Sequence, residues 1–143
     1  MPRRRGGPSP PAREAAERVT AVPSALPEEF AEGVRRFNDG RYFEAHEAFE
    51  ELLDTVEEDG RWDLLVALVQ VAVGYHKCAS RHPGSERMLR LGGEKLAAFP
   101  DVAWGVDVAA LRVRIAGVVA VLARGEDLGA RLTDAPPEIV LRG

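Results

Sequence analysis

The residues best able to do chemistry fall in one run, Tyr42-Phe43-Glu44-Ala45-His46-Glu47-Ala48-Phe49-Glu50. His46 and Glu50 stand four positions apart, and on a helix that spacing places both on one flank. Imidazole and carboxylate on one flank suit two chemistries. They can converge on a divalent metal ion, each ligating at about 2 Å, with His76 from a neighbouring helix as third ligand. Alternatively, the carboxylate can hold the imidazole in one tautomer as a general base. The run His46-Glu47-x-x-Glu50 is not the metalloprotease helix, which has a second histidine where this chain has Glu50. A catalytic reading also lacks a nucleophile, because Cys78 and Ser80 lie beyond the apolar core of their helix, and no glycine-rich phosphate cradle is present.

The stronger reading is architectural. Gln70 is the lone strongly polar residue inside an apolar stretch, and a buried amide without partners costs about 1–3 kcal/mol. His46, Glu50, Gln70 and His76 can satisfy one another in a polar seam between helix hairpins and so fix their register. Glu47 points further towards solvent. The remaining reading is a groove lined by Tyr42, Tyr75 and Trp62 that takes a partner helix, a peptide or a small molecule. These readings leave enzyme activity open and name no cofactor beyond the divalent metal.

Helices must position these residues. A length of 143 residues fits one domain, and a hydrophobic fraction of 45% is enough for a core. Residues 1–25 are rich in Arg, Pro and Gly and read as a flexible tail, 26–124 as the helical domain, and 125–143 as a C-terminal tail packing loosely on it. The first helix starts near Ser24 to Pro27, with Ser24 as N-cap, and Phe30, Val34 and Phe37 mark its buried face. Asn38-Asp39-Gly40 breaks it. A second helix runs from Arg41 to Glu57, with Phe43, Phe49 and Leu53 building the core. The third, Arg61 to Arg81, is apolar on every side between Leu64 and Val69 and is the buried centre. The fourth, Ser85 to Ala98, turns Met88, Leu89, Leu91 and Leu96 inward and is weakened by about 1 kcal/mol at each of Gly92 and Gly93. Asp107 caps a fifth, Val108 to Ala123, which Gly125 closes. No strand or hairpin signal stands out. The fold class is therefore all-α: a single-domain bundle of about five helices in antiparallel hairpins.

The segment from Gly33 to Phe49 is locally similar to a tetratricopeptide hairpin, through its Gly-x-Tyr turn and Ala-x-x-x-Phe spacing, but the spacings do not repeat along the chain. A broader resemblance covers Leu26 to Leu122. Phe37-Asn38-Asp39-Gly40-Arg41-Tyr42-Phe43-Glu44-Ala45-His46-Glu47-Ala48-Phe49-Glu50, followed by Leu68-Val69-Gln70-Val71-Ala72-Val73-Gly74-Tyr75-His76, resembles the domain of unknown function 309 family of small all-helical bacterial and archaeal proteins. The resemblance implies that His46, Glu47, Glu50, Gln70 and His76 are signature positions, and it implies no activity. The chain departs from the family pattern at Leu52-Leu53, where a tryptophan is usual, and in the turn Ser80-Arg81-His82-Pro83-Gly84.

Composition narrows the partners. A net charge of -4 argues against nucleic acid or an anionic membrane as partner, since both require a basic face. Arg3-Arg4-Arg5 is a local exception in the tail, and the Gly-Pro-rich stretch after it is no signal-peptide core. The single cysteine, Cys78, fits a reducing cytoplasm and reads as a packed side chain. A protein or small-molecule partner stays open, as does oligomeric state.

Overall fold

The computed structural model describes residues 26–142, so the expected tail 1–25, with Ser24 and Arg3-Arg4-Arg5, lies outside the described residues. The first helix, α1 (Phe30–Asn38), buries Phe30, Val34 and Phe37 as their spacing predicts. It starts later than expected: Glu29 takes the cap position without a side-chain bond, and a turn precedes it in which the Phe30 N–H donates to the Pro27 carbonyl. Gly40, at φ +82°, turns the chain into α2 (Tyr42–Leu52), a conformation that glycine adopts without strain.

Two expectations for α2 fail. It ends at Leu52 rather than Glu57, because the Thr55 hydroxyl and N–H both turn back to the Leu52 carbonyl, at 2.8 and 2.9 Å. Such side-chain competition for the backbone is how threonine ends helices. Phe43 is also not core. Tyr42, Ala45, Phe49 and Leu52 define the buried stripe, and Phe43, one residue round from Tyr42, stays 47% exposed.

The buried centre is α3 (Gly60–Ala79), as expected. Asp59 caps it, accepting from the Arg61 N–H at 2.8 Å. α3 packs on α2 along one side and on α4 (Ser85–Leu96) along the other. Within α4, Leu89 and Leu96 are buried, whereas Met88 and Leu91 are only half-buried. The glycines of this contact have a packing reason. A Cβ on Gly92 would come within 2.8 Å of Val71 Cγ2, and one on Gly74 within 2.6 Å of the Leu89 side chain. What Gly92 costs in helix propensity is set against the close approach it permits.

A short β-hairpin follows, which no sequence signal indicated: β1 (Val102–Ala103) pairs antiparallel with β2 (Val106–Asp107). Its two central residues, Trp104 and Gly105, both have positive φ (47° and 83°), the arrangement of a type I′ turn. Asp107 then caps α5 (Val108–Ala123), its carboxylate accepting from the Ala110 N–H at 2.9 Å, within the predicted bounds. Gly125, at φ +80°, closes it.

The segment after α5, expected to lie loosely, is held at several points. It contains a short helix, α6 (Gly129–Asp134), and it buries Leu128 and Ile139. Leu141 bridges Val106 antiparallel, and the Asp107 N–H donates to the Val140 carbonyl at 2.9 Å. Apart from the hairpin, the architecture is all-α. Among the described residues no helix is long and apolar enough to cross a membrane.

Candidate functional site

The start of α2 and the end of α3 come together around the exposed Phe43 ring. His46 lies one turn along α2 from Phe43, and their ring centroids are 5.1 Å apart. His76, near the end of α3, meets the same ring at a tilt of 52°, with centroids 5.3 Å apart. These three rings line a cleft of about 350 Å³. Val73, Lys77 and Ser80 complete the α3 wall, and His82 from the following turn closes one end. Val73, His76 and Ser80 share a face because they follow the helical i, i+3, i+7 spacing.

Hydrogen bonds set the imidazole tautomers. The His46 Nδ1 lies 3.1 Å from the Phe43 carbonyl, which can only accept, so Nδ1 carries the proton. In the neutral ring, the His46 Nε2 then presents a lone pair. Glu50 Oε1 is 3.8 Å from that atom, within ion-pair range of a protonated ring and too far for a hydrogen bond. His82 is set the other way: its Nδ1 accepts from the Gly84 N–H at 2.9 Å, which leaves the proton of the neutral ring on Nε2. Ser80 donates to the His76 carbonyl at 3.0 Å.

Of the residues singled out by sequence, the fold brings His46, Glu50 and His76 to this region and leaves the others apart. Glu47 is exposed and is not part of the cleft wall. Gln70 precedes His76 by six residues, which at about 100° per residue puts it roughly 120° away around α3. Its Oε1 is buried with no hydrogen-bond partner, so the seam linking His46, Glu50, Gln70 and His76 is not closed. Tyr42 and Tyr75 belong to the core, where Phe37 meets both edge-on at 5.3 and 5.7 Å. Burial pushes both phenols above their ordinary range. Trp62 is 13 residues before Tyr75 on the same helix, about 20 Å along its axis, so the three do not line one groove. Among the described residues no three His, Cys, Asp or Glu side chains are grouped to hold a metal ion. Cys78 is buried, and burial pushes its thiol up, away from the reactive thiolate.

Phe43, Val73, Lys77 and His82 are the cleft residues that sequence reasoning passed over. The signal was available for two of them, since Val73 lies three residues before His76 and Lys77 four after Val73, both helical spacings. Phe43 reads as core on a helical wheel because it sits beside the stripe of large apolar residues.

The family model described as Domain of unknown function (DUF309) matches residues 30–89. That segment, less than half of the chain, is similar to the DUF309 family. It begins with α1 and ends within α4, so every residue of the cleft lies inside it. The hairpin, α5 and α6 follow the matched segment and pack against it. No curated protein matches the chain. The family is uncharacterised, and its name carries no reaction, ligand or partner.

Proposed function

We propose that the DUF309-like segment is a non-catalytic binding module whose histidine cleft takes a small anionic group, a carboxylate or a phosphate. The observation that carries this reading is the chemistry of the cleft wall. Lys77 is its one permanently charged side chain, and three imidazoles stand around it, with Phe43 and Val73 as an apolar floor. Such a wall suits an anion attached to an apolar stem. The burial of Cys78 and Tyr75, with their acidities suppressed, favours binding over catalysis by either group. The anion can come from a free small molecule or from a side chain of a partner protein. A cytoplasmic setting goes with this reading, because the one cysteine is a buried free thiol.

Titrating ¹⁵N-labelled protein with inorganic phosphate, and separately with glutarate, tests the proposal. Saturable shifts confined to Phe43, His46, Val73, His76, Lys77, Ser80 and His82 are expected, and Lys77→Ala should weaken them at least several-fold. Shifts spread evenly over the surface, or none at millimolar ligand, overturn it.

A further inference from the structure

The helix α5 lacks the polar face of a surface helix. Of its sixteen residues only Arg112 and Arg114 are charged, and apolar side chains occur on every side. Val108, Leu111, Ile115 and Val118 are buried. On the other side Val113 is 74% exposed, more than any other large apolar side chain among the described residues, and Ala116 and Ala120 are exposed with it. A helix that is apolar all round belongs inside a core. Among the described residues, the rest of the chain covers only one side of this one.

The uncovered side borders a groove. Gly93 and Glu94 of α4 stand on one wall, and Arg112, Ala116 and Val119 of α5 on the other. Its volume of about 790 Å³ holds a row of side chains rather than one. Val113 forms a ridge on the α5 rim. Glu94 and Arg112, one on each wall, are exposed, and neither makes an ion pair or a side-chain hydrogen bond among the described residues. Nearby charges are engaged within the chain: Arg90 pairs with Glu86, and Arg114 donates to the Ala135 carbonyl.

One face thus carries both a ridge and a groove, and both an unpaired acid and an unpaired base on facing walls. A surface complementary to itself needs just these pairs. A two-fold axis along the groove lays α4 of one copy over α5 of the other. Each Val113 ridge then meets the other copy's groove, and Glu94 of each copy comes opposite Arg112 of the other. A partner of a single charge sign would leave one of the two unmatched. The size is sufficient. A sixteen-residue helix is about 24 Å long and two side by side span about 20 Å, so the pair buries roughly 500 Å² on each copy. A total of about 1,000 Å² is the lower end for a specific interface and suits a dimer that exchanges with its monomer.

We infer that the α4–α5 face is a docking surface for a second copy of this chain, in a two-fold dimer with Val113 at the contact and Glu94 of each copy paired with Arg112 of the other. The face lies outside the histidine cleft and the inference does not rest on that reading.

Sedimentation equilibrium of the full chain should show a monomer–dimer equilibrium with a micromolar dissociation constant. Val113→Glu sets a carboxylate into the apolar contact and should weaken the dimer about tenfold or more, with helical circular dichroism unchanged. Arg112→Glu and Glu94→Arg each set like charges across the axis, and each should weaken it several-fold. Mixed in equal amounts, these two variants should recover the native affinity, because every like-charge opposition becomes a Glu–Arg pair. Mixing cannot mend a folding defect, so recovery reports contact between copies. A full chain still monomeric at millimolar concentration overturns the dimer, whatever else covers the face, residues 1–25 of the same chain included. A dimer indifferent to Val113→Glu puts the contact elsewhere and overturns this face. Single charge variants that dimerise natively, or a mixture that does not recover, overturn the Glu94–Arg112 pairing and the two-fold arrangement with it.

Discussion

Asn38, the last residue of α1, exchanges two hydrogen bonds with the main chain of Ile139. Its Nδ2 donates to the Ile139 carbonyl at 3.0 Å, and its Oδ1 accepts from the Ile139 N–H at 2.7 Å. One side-chain amide thereby does for the C-terminal segment what a strand partner would do, and it ties the first helix to the last stretch of chain while Ile139 is buried beside it.

Asn38→Ala removes both bonds and leaves an Ile139 donor and acceptor unmet. The expected loss is about 2–3 kcal/mol in urea unfolding, from two bonds at about 1 kcal/mol each plus the desolvation left behind. Asn38→Asp keeps the acceptor but sets a carboxylate against the Ile139 carbonyl, so it should rescue less than half of that loss. A change of under about 0.5 kcal/mol for Asn38→Ala, the usual range for surface substitutions, would show that the segment holds without the clamp.

What could be read from sequence here was local. Asp107 and the break at Asn38-Asp39-Gly40 announce themselves because capping and left-handed turns depend on neighbours a few residues away. The bounds of α5 follow from such signals. Asn38 was legible as a helix breaker and not as the partner of Ile139, 101 positions later. The hairpin was hidden for a related reason: two-residue strands show no alternation, and Trp-Gly is not a usual type I′ pair. At the histidine cleft, the His46 and His76 pairing was anticipated but its centre was not. Whether Phe43 faces core or solvent turns on a rotation of about 100° that composition does not reveal.

Tyr75 gives a second prediction. Its ring is fully buried between Phe37 and Tyr42, yet its hydroxyl has no hydrogen-bond partner among the described residues. Removing an unmet polar atom while keeping the ring should be neutral or favourable. Tyr75→Phe is expected to raise stability by up to about 1 kcal/mol. Tyr75→Leu, which also removes ring packing, should lower it by about 2 kcal/mol. Thermal unfolding of the pair measures both, and a marked loss for Tyr75→Phe would mean that the hydroxyl is paired in solution.

Acid sensitivity should centre on Asp107. The Ala110 N–H it caps, and then the Arg142 guanidinium beside it, hold its carboxyl below the ordinary value of 3.8. A carboxyl depressed in the folded state contributes stability that is fully present above its unfolded value and is lost as pH falls through the folded one. Asp107→Asn keeps a capping oxygen and removes the charge. Its melting temperature should therefore lie below that of the native protein at pH 7, and the gap should close below about pH 4. A gap that stays constant from pH 7 to pH 3 would rule out the charged form as the source.

The glycines predict opposite signs for one substitution. Gly74 and Gly117 are both helical, and on an exposed helix Gly→Ala is worth about 1 kcal/mol in favour of alanine. At Gly117 a Cβ meets nothing within 4 Å, so Gly117→Ala should gain most of that amount. At Gly74 the same Cβ would lie 2.6 Å from the Leu89 Cγ and Cδ2 and 3.1 Å from its main-chain nitrogen. The nitrogen belongs to α4 itself, so relief requires the two helices to separate, and overpacking of this kind costs about 1–3 kcal/mol. Gly74→Ala should therefore destabilise the protein, and pairing it with Leu89→Ala should recover part of the loss, because the side-chain share of the clash disappears while the backbone share remains. Urea midpoints for the two single variants and the double variant separate those shares. Stabilisation by Gly74→Ala alone would mean that α3 and α4 are not in close contact at this point.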